Sequence, residues 1–203
     1  MEIRYKTIEH ERTEDAPFIG ALISAIGCKM KCKGCFHKDL KKAPTLKATE
    51  QEIIVSVLSN PINEGIILAG LEWSEQPLEL LALVGEAAKN NLKIMIYTGL
   101  DLFNFQATIG KACAKRVGYD MAYAKEMLGD GENQLYATMG AAMLDYNIFS
   151  NYYLKCGMYD KNCLVDDNVQ FGVKLASANQ KIYKITDQNS QSDEGFELEL
   201  LAE

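Results

Sequence analysis

FIGALISAIGCKMKCKGCFH, residues 18–37, runs an apolar segment straight into three closely spaced cysteines. Phe18 to Ile26 is apolar and β-branched and stops at Gly27, which reads as a buried strand delivering its C-terminal end to the loop that follows. In that loop Cys28, Cys32 and Cys35 are separated by three and then two residues, so three of the six cysteines fall within eight positions. Thiolates this close can wrap one inorganic centre, and soft thiolates favour zinc, Cu(I) or iron–sulfur clusters. Three ligands leave one iron of a cube free to bind a substrate, whereas electron-transfer clusters take four cysteines. A closed zinc site also takes four ligands, commonly as two separated pairs. Here Cys156 and Cys163 are too widely spaced for a second pair, and the only histidines are His10 and His37. Two alternatives stay open: zinc with His37 or a remote cysteine as fourth ligand, and a four-cysteine cluster completed by Cys113, Cys156 or Cys163. Disulfides are not expected, because nothing at the N-terminus reads as a secretory signal.

Outward from this stretch, apolar runs alternate with helical patterns. Thr49-Glu-Gln-Glu52 is a capping box, followed by Ile53, Ile54, Val57 and Leu58 on one helical face. Gly65 to Gly70 (GIILAG) reads as a second buried strand. Pro77 suits the first turn of a helix whose stripe is Leu80, Leu81, Val84 and Ala88. Leu92 to Tyr97 (LKIMIY) is a third strand, stopped by Thr98-Gly99, and Tyr152 to Cys156 (YYLKC) a fourth. Strands spaced by helices of this length imply βαβ units and a parallel sheet. Functional loops then gather at the strands' C-terminal ends, where 27–37, 70–76 and 98–101 all fall. Residues 105–148 read as a helical insertion of two helices with a turn at Gly129-Asp-Gly131. The stretch 186–203 reads as an acidic tail.

With 203 residues, 48% of them hydrophobic, the chain can bury one sizeable core, and no linker divides it. A formal charge of −7 argues against a nucleic-acid or membrane-surface binder. No apolar run reaches the ~18 residues of a membrane span. Clustered thiols without an export signal imply the reducing cytoplasm.

Cys28-x(3)-Cys32-x(2)-Cys35 matches the radical S-adenosylmethionine (SAM) signature, and its surroundings resemble a narrower family. Gly34 between the last two cysteines, with Phe36-His37 after the third, is similar to the activating proteins of anaerobic (class III) ribonucleotide reductases. Lys33 stands where many radical SAM proteins carry an aromatic, a departure usual in these activases. GLEWSEQ (70–76) resembles a variant of the family's GGEP motif, with Trp73 in place of Pro. Tyr97-Thr98-Gly99 resembles its YTG, YLKCGMY (153–159) its IKxGxY segment, and LASANQ (175–180) its LAS-x-NQ stretch. The matches come in family order and span residues 18 to 185, while 105–148 carries none.

The resemblance implies an α/β fold, a partial (β/α) barrel of the small radical SAM type. It implies a [4Fe–4S] cluster on Cys28, Cys32 and Cys35, with SAM chelating the open iron through its amine and carboxylate. Gly70 would let backbone approach the methionyl amine, and Glu72 would sit near that amine or shape its loop. Thr98 would join the SAM contacts, Phe36 and His37 would line the adenosyl pocket, and Lys155 would face the carboxylate. Each has a plainer reading: Phe36 as a simple hydrophobe, His37 as a surface polar residue, Lys155 snorkelling outward. Asn179 and Gln180 would form either a turn or a partner-contact loop. The implied activity is reductive cleavage of SAM to a 5′-deoxyadenosyl radical, which takes hydrogen from a glycine of anaerobic ribonucleoside-triphosphate reductase. Implied partners are that reductase's large subunit and an electron donor such as flavodoxin or ferredoxin. Two rivals remain: a radical SAM enzyme acting on a small metabolite, of the deazaguanine-synthase kind, and a non-enzymatic zinc or electron-transfer module.

Overall fold

The computed structural model describes residues 1–148 and 152–185. In chain order they form β1 (Glu2–Tyr5), β2 (Ile8–Arg12), β3 (Gly20–Ser24), β4 (Leu46–Thr49), α1 (Glu50–Leu58), β5 (Gly65–Ala69), α2 (Pro77–Lys89) and β6 (Lys93–Tyr97). There follow α3 (Leu102–Arg116), α4 (Met121–Leu128), α5 (Glu132–Ile148), β7 (Tyr152–Cys156), β8 (Val169–Gln170), β9 (Val173–Lys174) and β10 (Lys181–Ile185). The expected acidic tail, 186–203, lies outside the described residues.

A six-stranded sheet in the order β10-β7-β6-β5-β3-β2 forms the centre. Its four middle strands, β3, β5, β6 and β7, run parallel, as their apolar runs imply. The outer two correct the expectation of a wholly parallel sheet, since β2 is antiparallel to β3 and β10 to β7. Both have mixed text, IEHER and KIYKI, which suits an edge with one wet side and reads weakly as a strand. Among the described residues β2 and β10 do not pair, so the sheet is open. The predicted strand at Phe18–Ile26 is shorter, spanning Gly20–Ser24.

Strand alternation gives the two faces separate jobs. Ala21, Ile23, Ile66, Leu68, Ile94, Ile96, Tyr152, Leu154 and Cys156 point to one face, where α1, α2, α3 and α5 close the main core. The alternate positions Leu22, Ile67, Ala69 and Met95 form a smaller cluster on the other face with Phe18, Val173 and Leu175. Tyr97 and Tyr153 join them. Among the described residues helices therefore cover one face only. α1 starts on the expected box, with the Thr49 hydroxyl accepting from the Glu52 N–H at 3.2 Å and a Glu52 carboxylate oxygen accepting from the Thr49 N–H at 2.7 Å. Pro77 opens α2 as expected.

The helical region holds three helices where two were expected, and it begins at Leu102, because Gly118 turns the chain at φ +73° after α3. α3 and α5 cross at Gly110 and Gly140, and a β-carbon on either would overlap a carbonyl of the facing helix, Tyr136 or Gln106. Ala107, Ala114 and Ala137 keep the same crossing narrow. Gly140→Ala should therefore destabilise the protein by about 1–3 kcal/mol despite alanine's better helix propensity. Urea unfolding measures this, and a neutral or stabilising result would contradict the close crossing.

Candidate metal centre and adjoining cavity

The cysteine loop leaves the C-terminal end of β3 and is tied to the turn after β5 through polar groups. The Gly27 carbonyl accepts from the Glu72 N–H at 2.9 Å, and the Gln76 side chain accepts from the Ile26 N–H at 2.7 Å. The Lys29 N–H donates to Glu75, and the Lys41 ammonium donates to the Cys28 carbonyl at 2.6 Å. Trp73, where the resembled family has proline, is fully buried, and its indole N–H donates to the Ile23 carbonyl of β3 at 3.0 Å. An indole thus holds this turn against the very strand that carries the cysteines. Gly34 takes φ +83°, a left-handed conformation that lets the chain fold back between Cys32 and Cys35.

Beside this loop, on the helix-free face, lies a cavity of about 430 Å3. Cys28, Cys32, Cys35, Phe36, His37, Gly70, Glu72, Thr98 and Lys155 all border it, so every site residue expected from sequence comes to one place. Among the described residues no three Cys, His, Asp or Glu side chains converge as a single ion would require. Three thiols bordering one cavity have the softness that suits iron and sulfide. The residues present therefore fit an iron–sulfur cluster. The remaining cysteines lie elsewhere: Cys156 points to the helix-covered face, Cys113 is buried in α3, and Cys163 is exposed beside Asp160. None borders the cavity.

Glu72 is buried, and its carboxylate accepts from the Thr98 hydroxyl at 2.9 Å, the Gly99 N–H at 2.8 Å and the Ser74 N–H at 3.1 Å. It ties the ends of β5 and β6 together, which is the loop-shaping role of the two considered for it. Gly70 has φ +79°, and a β-carbon there would meet the Ser24 hydroxyl. Gly99 gives the Met30 thioether its place against the strand end. Strand alternation sends Lys155 inward, correcting the snorkelling alternative. It is 7% exposed, donates to the Gly157 carbonyl at 2.7 Å and lies over the Tyr97 ring at 5.8 Å. Burial pushes its ammonium down to about 8, against the opposing pull of Cys156, Glu72 and Cys32. Burial also raises the Cys28 thiol, with the Met30 backbone and Lys41 working the other way. Phe36 is 77% exposed and packs its ring edge-on to Tyr159, centroids 5.3 Å apart.

Several lining residues were not foreseen. Arg12, the last residue of β2, and Asp15, just beyond it, are ion-paired at 2.7 Å. The half-buried Tyr97 donates its hydroxyl to the Asp15 carbonyl at 2.8 Å. Tyr97 ends an apolar strand at an inward position, and that alternation was a usable signal. Gln180 is buried and braces its loop, accepting from the Ala176 N–H at 3.1 Å and donating to the Gly157 carbonyl at 3.3 Å. Its neighbour Asn179 donates to the Met158 carbonyl at 2.8 Å. The two lie at a turn, with Asn179 exposed and Gln180 buried against the cavity.

An open α/β sheet that brings three soft thiols to the rim of one cavity suits an iron–sulfur protein. The chain belongs to the 4Fe-4S single cluster domain family, whose model matches residues 20–124, from the start of β3 into α4 and over half of the chain. No curated protein matches it. Among the described residues no helix is long and apolar enough to cross a membrane.

Proposed function

We propose that this iron–sulfur protein is a radical SAM activase that generates a glycyl radical on an anaerobic ribonucleoside-triphosphate reductase, and that its open sheet is a partial (β/α) barrel. One observation carries the reading: the three cysteines of the cluster motif and all six residues expected to hold SAM border a single cavity, while the other three cysteines do not. Cys28, Cys32 and Cys35 would hold the cluster, leaving one iron for a further ligand. A cluster held there would supply the low-potential electron that cleavage of SAM to methionine and a 5′-deoxyadenosyl radical requires.

The chain's own residues position SAM and keep water out. Lys155, inward and desolvated, is placed to face a carboxylate, an attraction that low dielectric strengthens. Gly70 and Gly99 keep the floor of the cavity at backbone level, and the Glu72–Thr98 bond holds those two strand ends in register. Phe36 and His37 flank the third thiol and suit the adenosyl end. No acid–base dyad is required, since the transferred species is a hydrogen atom. A cavity of this size lies within the ~300–1,000 Å3 of small-molecule sites, and SAM would leave little of it for a second substrate. The acceptor is then a glycine loop of another protein entering from the open side, in the cytoplasm.

The test combines the reconstituted protein, SAM, dithionite and the cognate reductase under anaerobic conditions. The expected result is a doublet EPR signal on the reductase with 5′-deoxyadenosine in matching amount, both lost when the target glycine is changed to alanine. Full deoxyadenosine yield with a small metabolite and no partner protein would replace this reading with the metabolite enzyme.

A further inference from the structure

Between its two ends the cysteine loop has little to rest on. At its start the Gly27 carbonyl accepts from the Glu72 N–H at 2.9 Å, and the Lys29 N–H donates to Glu75. At its return the buried Lys6 ammonium donates to the Ala43 carbonyl at 2.5 Å and to the Thr45 hydroxyl at 3.1 Å. Of residues 29–39, eight are exposed, and only Met30, Cys32 and Cys35 are half-buried. Two of those three are the cysteines of the cluster motif. The third, Met30, lays its thioether against Gly99 at the end of β6, so closely that a β-carbon on Gly99 would overlap the sulfur and crowd the terminal methyl. Both residues border the cavity. The Gly99 N–H donates to the Glu72 carboxylate at 2.8 Å, and the Glu72 N–H holds Gly27. The contacts therefore close a ring, from Gly27 through Glu72 and Gly99 to Met30, and Cys28 lies on the short stretch of loop that the ring encloses.

We infer that Met30 is a positioning residue for the metal centre: its thioether, seated in the notch that Gly99 leaves, fixes where the three thiolates stand over the cavity. The inference rests on the reading of Cys28, Cys32 and Cys35 as the cluster ligands and adds the residue that places them. A run of exposed residues buries too little to offset the entropy of ordering it, so one apolar contact among them carries unusual weight. Methionine suits that contact, because an unbranched, polarisable side chain fills an irregular gap. The gap itself is made by backbone. Gly99 lies outside the left-handed region that the other cavity-floor glycine, Gly70, occupies, so what the site uses at position 99 is the missing side chain and not a special conformation. A methyl group there would evict the flexible thioether toward solvent and leave the sheet as it is.

The experiment compares the full chain with Met30→Leu, Met30→Ala, Gly99→Ala and the Met30→Ala/Gly99→Ala double variant. Two rates are read under anaerobic conditions: iron transfer from the cluster-loaded protein to a colorimetric chelator, and alkylation of Cys28 by iodoacetamide in the metal-free protein, followed by peptide mass spectrometry. Met30→Ala and Gly99→Ala should each raise both rates about tenfold, within the range of coupling between packed neighbours. Met30→Leu refills the notch and should stay within about twofold of the wild type. The double variant should be no faster than either single one, because Gly99→Ala acts only through the thioether that Met30→Ala has already removed. Urea midpoints of the metal-free proteins should agree across the set, since the notch lies outside the main core. Wild-type rates in Met30→Ala, a leucine variant as fast as the alanine one, singles whose effects multiply in the double variant, or rates that merely track a falling urea midpoint would each overturn the inference. A wild type that holds its iron but cleaves no SAM, with the variants in the expected order, removes the radical SAM reading and leaves Met30 as the anchor. If the wild type takes up no iron while Cys28 alkylation keeps that order, the cluster reading falls and the anchor of the loop stands.

Discussion

Replacing Cys28, Cys32 or Cys35 by alanine is expected to remove essentially all iron and acid-labile sulfide from the anaerobically reconstituted protein. A cube on three thiolates has no reserve, because the loss of one leaves only two thiolates on the loop. Alanine at Cys113, Cys156 or Cys163 should leave about four irons and four sulfides per chain, as for the unaltered protein. The buried pair, Cys113 and Cys156, should cost on the order of 1 kcal/mol in stability through the small cavity each leaves. Iron and sulfide analysis beside urea unfolding separates the two effects. Loss of the cluster in any of the second three would mean a fourth cysteine ligand, and with it no open iron.

Glu72→Ala should be the most damaging change outside the cysteines. It strands the Thr98 hydroxyl and the Gly99 and Ser74 N–H groups in a buried place, where each unsatisfied group costs about 1–3 kcal/mol. Water entering the gap recovers part of this, so a loss of about 3 kcal/mol or more is expected by urea unfolding. Glu72→Gln keeps one oxygen for Thr98 and Ser74 but turns an amide toward the Gly99 N–H, and it should fall between the two. SAM affinity of the cluster-loaded protein should follow the same order. An alanine variant within 0.5 kcal/mol of the wild type would remove Glu72 as the tie between the two strand ends.

The middle of the sheet was legible because strands buried on both faces read as unbroken apolar text. GIILAG and LKIMIY lie within a residue of β5 and β6, and YYLKC coincides with β7. The edges were not: IEHER and KIYKI carry charges at positions that face water, and only pairing with a neighbour makes them strands. The break after Arg116 was missed because Val117-Gly118-Tyr119 interrupts an otherwise helical pattern with one glycine. At the site, the cysteines were legible from spacing, and Gly70 through the family resemblance. The Arg12–Asp15 wall and the bracing role of Gln180 depend on contacts between residues far apart in sequence, which no local pattern records. Lys155 shows the boundary between the two cases. Its inward direction follows from the period of β7 once one neighbour is known to face the core, but its desolvation depends on Tyr97 and Glu72 arriving from other strands.

The indole that stands in for proline at position 73 has a consequence in optics. It is the chain's single tryptophan, fully buried, and hydrogen-bonded to the strand that leads into the cysteine loop. Its emission falls in the near ultraviolet and blue, where iron–sulfide chromophores absorb broadly. Excitation absorbed by the ring can therefore pass without radiation to a cluster assembled next door. Loading, oxidative loss and repair of the centre can therefore be followed by fluorescence quenching at protein concentrations far below those that magnetic resonance demands.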